Sequence, residues 1–194
     1  MNVLPALSPE EINKLPFIHF EGIIQIVDNL PAFSGAIEDI TTRGGAWGFD
    51  TETRPSFKKG RTNNVSLIQL AADNTCYLFR INRLGLRHEL IEILTNPNII
   101  KIGLSLQDDL RGLHKMAHFQ PQGFVDLQNY VQQFGIQEKS LKKICALVLH
   151  ARISKNQQTS NWDVPILSEA QQIYAATDAW VCLKIYEKLK SLEK

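Results

Sequence analysis

Apolar residues along this chain recur with two periods. Short runs rich in β-branched, aromatic and leucine residues fall at 20–27 (FEGIIQIV), 46–52 (AWGFDTE), 64–71 (NVSLIQLA), 75–80 (TCYLFR) and 99–104 (IIKIGL). Their length and composition predict strands, and Asp73-Asn74 between 64–71 and 75–80 makes those two a hairpin. Elsewhere the apolar positions step by three and four, as on a helix with one buried face. That spacing predicts helices over 32–42, 87–95, 107–117, 126–134, 140–150 and 168–191. Gly44-Gly45 suit the end of the first, and Asn96-Pro97 stops the second. Ser8-Pro9-Glu10-Glu11 reads as a capped helix start inside an N-terminal extension, residues 1–19. Strands come early, one neighbouring pair is antiparallel, and helices dominate the second half. The pattern therefore predicts an α/β architecture with a mixed sheet, in one domain over 20–194.

Composition refines this only at the margins. A length of 194 residues suits a single core, and 44% hydrophobic with 21% charged residues is ordinary for a globular protein. With 21 basic and 20 acidic side chains the formal charge is +1, so any contact with nucleic acid must come from local patches. Cys76, Cys145 and Cys182 lie far apart with no C-x-x-C pair, which argues against a zinc knuckle or a thioredoxin-type site. The odd count fits a reducing compartment, and no signal peptide or membrane-length apolar run is visible, so the expected location is cytoplasmic.

Chemistry enters with WGFDTET at residues 47–53. Alternate residues of a strand share a face, so Asp50 and Glu52 point the same way, with Ala46 and Gly48 behind them. Two carboxylates that close each raise the cost of ionising the other, and a cation between them would remove that cost. On 101–114 (KIGLSLQDDLRGLH) a strand runs into a helix at Asp108-Asp109, where the macrodipole explains one acid without saying which. On the last helix Tyr174 and Asp178 are four apart and share a face with Val181, Ile185 and Leu189. An aspartate in that apolar company needs a partner, and a metal would satisfy all three groups of acids at once.

These blocks, in this order, resemble the DEDDy class of 3′-5′ exonucleases, the class of ribonuclease D and of the Werner-type exonuclease domains. The phrases that carry the likeness are FDTE, VSLIQLA with CYLF, KIGLSLQDDL, and SNWDVP followed by LSEAQQIYAATDA, spread over about residues 20–190. The resemblance implies a ribonuclease H-like fold with a five-stranded mixed sheet flanked by helices. It implies that Asp50, Glu52, Asp109 and Asp178 bind two divalent ions, magnesium or manganese, and that Tyr174 orients the attacking water. The sister class has His five residues before the last Asp, where this chain has Ile173. The strand-to-acid spacing favours Asp109 over Asp108.

The implied activity is metal-dependent removal of nucleoside 5′-monophosphates from nucleic-acid 3′ ends that are single-stranded or recessed. DNA is favoured over RNA, although no motif here encodes a contact to the 2′-hydroxyl. The chain reads as a stand-alone nuclease module without a membrane partner. The competing reading is a catalytically idle ribonuclease H-fold module that binds nucleic acid or protein; the loss of an acid would mark it, and none is missing. Lys58, Lys59 and Arg61, with Arg152 and Lys155, are candidates for the phosphate backbone. Trp162 is a candidate for stacking on a base or for anchoring its loop in the core. His114 and His118 are four apart, but lack the intervening Glu of a metalloprotease motif, and read as ordinary helix surface.

Overall fold

A computed structural model describes residues 6–56 and 62–193. Helix α1 (Pro9–Lys14) opens on the expected cap: the Ser8 hydroxyl accepts from the Glu11 amide and the Glu11 carboxylate accepts from the Ser8 amide. Strand β1 (Ile23–Val27) leads into α2 (Leu30–Arg43), which ends at Gly44 with φ +55°. Strands β2 (Gly45–Thr53), β3 (Val65–Ala71) and β4 (Thr75–Phe79) follow, then α3 (Ile81–Leu84), α4 (His88–Thr95) and β5 (Ile99–Gly103). The second half holds α5 (Leu106–His114), β6 (Phe124–Asp126), α6 (Leu127–Tyr130) with a 3-10 turn (Val131–Phe134), α7 (Leu141–Leu149) and α8 (Glu169–Lys190).

The strands form one sheet in the order β1-β4-β3-β2-β5-β6, with β3 antiparallel to both its neighbours and every other pairing parallel. The sheet is mixed, as expected, but has six strands where five were expected. The extra strand, β6, is three residues long, and the sequence reading ran its last residue into the helix over 126–134. A period of two cannot show itself in three residues; only the ladder to β5, Lys101↔Phe124 to Gly103↔Asp126, identifies it.

One face of the sheet carries Trp47, Phe49, Ile68, Leu70 and Phe79 against α2, α4 and α5. The other lies under α8, with α7 packed beside it. Strands β3 and β4 are covered on both sides and buried throughout, Leu67 and Leu70 among them. Gly48 decides how closely α8 can lie. A Cβ there would sit 1.9 Å from the Ala179 carbonyl oxygen, so the helix backbone rests directly on the strand. Any other residue at position 48 would hold α8 away from the sheet.

Lys101 is fully buried in β5 and has no acidic partner among the described residues. Its ammonium donates to the carbonyls of Ile93 (2.9 Å), Asn96 (2.8 Å) and Ile99 (2.5 Å) and stands over the Phe124 ring. The lysine thereby ties the end of α4 to the sheet; burial pulls its pKa down to about 8.

Candidate active site

Asp50 and Glu52 leave β2 on the face that Gly48 opens to α8, and α8 brings Asp178 to meet them. One oxygen from each of the three carboxylates lies within 4.8 Å of the others. Among the described residues none of the three pairs with Lys or Arg. Burial is the first cause that drives all three toward the protonated form, and repulsion from the neighbouring carboxylates adds to it for Asp50 and Glu52. Asp50 is pushed well above the ordinary range by burial, then by Asp109 and Asp178. Glu52 is raised to about 10 by burial, then by Asp50. Asp178 is raised to about 7 by burial, offset by the bond it accepts from Tyr174 and by the charge of Lys155.

Tyr174 stands one turn before Asp178 and donates its hydroxyl to it. Burial and the surrounding carboxylates hold the phenol far above its ordinary value. Its ring lies 6.1 Å from that of Trp162, which is fully buried. This overturns the stacking role considered for Trp162: a side chain with no exposed face cannot receive a base. It anchors the loop ahead of α8 and backs Tyr174.

The acid on α5 whose charge reaches Asp50 and Glu52 is Asp109, which stands outside the cluster of three carboxylates. The Thr51 hydroxyl donates to its Oδ1 from the opposite face of β2, and burial raises its pKa to about 6 against the pull of that bond. Asp108 is exposed and pairs with Arg111 at 2.9 Å. The direction of α5 depends on Asp126, which the sequence reading did not single out. Its carboxylate accepts from the amides of Ser105 (3.1 Å), Leu106 (2.9 Å) and Gln128 (2.8 Å). It thereby holds Ser105 in a left-handed conformation, φ +58°, at the turn from β5 into the helix. An Asp before a helix signals a cap, but nothing local shows that it caps a second helix as well. Gln69 likewise carries no local signal in the sequence. It pairs with Asp50 across the β2–β3 ladder, is fully buried, and neither end of its amide has a partner among the described residues.

Of the basic candidates, Lys58, Lys59 and Arg61 lie outside the described residues. Lys155 is exposed and lines one cavity with Asp50, Tyr174 and Asp178. Arg152 is turned onto the protein: its Nε donates to the Leu15 carbonyl at 3.0 Å and its guanidinium covers the Phe17 ring. The two histidines make no pair on a helix, because α5 ends at His114, whose ring packs on Phe119.

Carboxylates gathered in a partly buried cluster, unpaired with Lys or Arg among the described residues, suit a hard divalent cation, and their oxygens are the ligand type magnesium and manganese prefer. Comparison with known proteins agrees with the geometry. A family model described as 3′-5′ exonuclease matches residues 24–193. The mouse bifunctional 3′-5′ exonuclease/ATP-dependent helicase WRN is 32% identical over 189 residues, 93% of this chain and 14% of that protein. The human exonuclease mut-7 homolog is 28% identical over 187 residues, 78% of this chain and 21% of that protein. The chain thus spans about a fifth or less of these two relatives. In fold it resembles the Nibbler EXO domain of Aedes aegypti, with a TM-score of 0.78 at 24% identity over 91% of this chain and 94% of that one. It also resembles Escherichia coli RNase D, with a TM-score of 0.76 at 23% identity over 87% and 44%. These are ribonuclease H-like exonuclease folds, as expected. With the family model running over most of its length and a WRN relative above 30% identity, the chain belongs to the 3′-5′ exonuclease family of the DEDD type.

Proposed function

We propose that this protein is a metal-dependent 3′-5′ exonuclease that hydrolyses the last phosphodiester bond of a nucleic acid and releases a nucleoside 5′-monophosphate. The observation that carries the reading is the convergence of Asp50, Glu52 and Asp178 within 4.8 Å, Glu52 buried and the two aspartates half-buried, with no ion pair to Lys or Arg among the described residues. Asp109, poised by Thr51, is the fourth member. Two magnesium or manganese ions held by these acids would supply an activated water and offset the charge on the departing 3′ oxygen. The side chains themselves hold charge in place. Tyr174, kept protonated, presents a donor beside Asp178 and orients the nucleophile. Lys155, on the wall of the same cavity, meets a phosphate. Single-stranded or 3′-recessed ends are the substrates, with DNA ahead of RNA, and the cytoplasm is the compartment that three buried free cysteines fit.

The experiment is a gel assay with 5′-labelled DNA and RNA oligonucleotides, single-stranded and 3′-recessed, in magnesium or manganese. A ladder shortening from the 3′ end, abolished by chelator and by Asp50→Ala, is the expected result. Retained binding with no cleavage of any substrate would favour the idle binding module instead.

A further inference from the structure

Arg80 stands just past the end of β4 with 1% of its surface exposed, and among the described residues it forms no ion pair. Its guanidinium donates to the Val164 carbonyl at 2.6 Å, while its Nε is buried without a partner among the described residues. Lys101, buried as deeply, spends its charge on three carbonyls and is complete as it stands. Arg80 is not. A buried cation short of acceptors is costly, and burial, then the charge of Arg83, pulls the Arg80 pKa down. A cavity of about 310 Å³, at the small end of ligand sites, gives an acceptor room beside it; Asp28, Arg83 and Ile166 share its lining with Arg80. We propose that this cavity binds a phosphate group, with Arg80 as its principal donor and Arg83 as the second, at a site separate from the acids.

Geometry and charge both favour that ligand. A guanidinium is a flat fork whose N–H groups match two oxygens of an oxyanion. Arg83 lies three residues after Arg80 and lines the same cavity, so two forks border one space. A phosphate has oxygens enough for both, whereas the two of a carboxylate satisfy one. Arg83 is paired with Asp28 at 3.0 Å and also donates to the Pro165 carbonyl. Arg80 therefore leaves the lining with one positive charge in excess.

The cavity lies at the end of the sheet where the acids are. Strands β1, β4 and β2 run in one direction, Glu52 pairs with Leu67, and Ile68 pairs with Phe79. Arg80 is thus two strands from Glu52, about 10 Å at the usual strand spacing. The loop ahead of α8 reaches both places: its Trp162 backs Tyr174, and its Val164 and Pro165 carbonyls take the bonds from the two arginines. A free phosphate and a phosphate of a bound strand present the same chemistry to this cavity.

Calorimetry in chelator on the Asp50→Ala protein keeps metal-bound phosphate out of the measurement. Inorganic phosphate is expected to bind, and Arg80→Met should weaken it at least tenfold, on the order of what charged hydrogen bonds contribute. Lys155→Ala, which alters the cavity of the acids, should leave it unchanged. Arg80→Met also releases the Val164 carbonyl, so the second variant is Asp28→Asn, which leaves Arg80 and its bond in place. By removing the negative charge of the lining it should tighten phosphate binding by about two- to fivefold. Single-stranded DNA titrated in the same background assigns the source. Tenfold weaker binding in Arg80→Met marks a phosphate of the strand, and unchanged binding marks the free anion. No phosphate binding in the Asp50→Ala protein overturns the proposal. So does binding that survives Arg80→Met, does not respond to Asp28→Asn, or disappears with Lys155→Ala. Neither arm requires cleavage, so the outcome stands apart from the exonuclease reading.

Discussion

Asp178→Asn should make the metal-free protein more stable. The substitution keeps the size of the side chain and an oxygen for the Tyr174 hydroxyl, but removes a buried charge. Folding raises the Asp178 pKa from an ordinary 3.8 to about 7. At about 1.4 kcal/mol for each tenfold change in proton affinity, the ionised side chain costs about 4 kcal/mol above pH 7, and about 2–4 kcal/mol after relaxation. The sign follows from proton binding. Near pH 4 both folded and unfolded states hold much of their proton and the two proteins differ little. Between pH 4 and 7 the unfolded chain releases its proton first, so the unmodified protein loses stability as pH rises. Above pH 7 the penalty is complete. Thermal melts in chelator should therefore place the variant roughly 5–10 °C higher at pH 8 and higher by only about a quarter of that margin at pH 4.5. Manganese at a thousand times Kd should close or reverse the gap, since it stabilises only the protein that binds it, by about 4.1 kcal/mol. A variant that melts lower in chelator at pH 8, or by the same margin at both pH values, would refute this account of the site.

Asp109→Ala should abolish cleavage in the gel assay, whereas Asp108→Ala should leave it unchanged and cost less than about 1 kcal/mol in urea denaturation, because its pair with Arg111 is exposed. Tyr174→Phe should lower kcat at least tenfold, on the order of what a positioned donor contributes; it should also move manganese binding, followed by calorimetry, to higher pH, because the lost bond had held the Asp178 pKa down. Gly48→Ala should cost about 3 kcal/mol or more and weaken metal binding in the same calorimetric titration, since its methyl meets the Ala179 carbonyl. Lys101→Met should cost about 2–3 kcal/mol in urea denaturation by removing the ammonium that three carbonyls share, of which Ile93 keeps the Asn96 amide.

The chain alone determined whatever depends on local period and spacing. Five strands and the main helices follow from repeats of two and of three to four. Strand alternation puts Asp50 and Glu52 on one face, and one helical turn puts Tyr174 beside Asp178. Tertiary structure decided what depends on segments distant in sequence. Asp108 and Asp109 are indistinguishable as a helix start; the bond from Thr51 and the cap from Asp126 turn one inward and leave the other to Arg111. Trp162 sits in a polar loop by sequence, but packing against Tyr174 buries it. The sixth strand exists only through its ladder to β5, and the cluster of acids forms only because Gly48 lets α8 touch the sheet. A side chain's neighbours along the chain set its direction from the backbone; register and close packing set what it meets there.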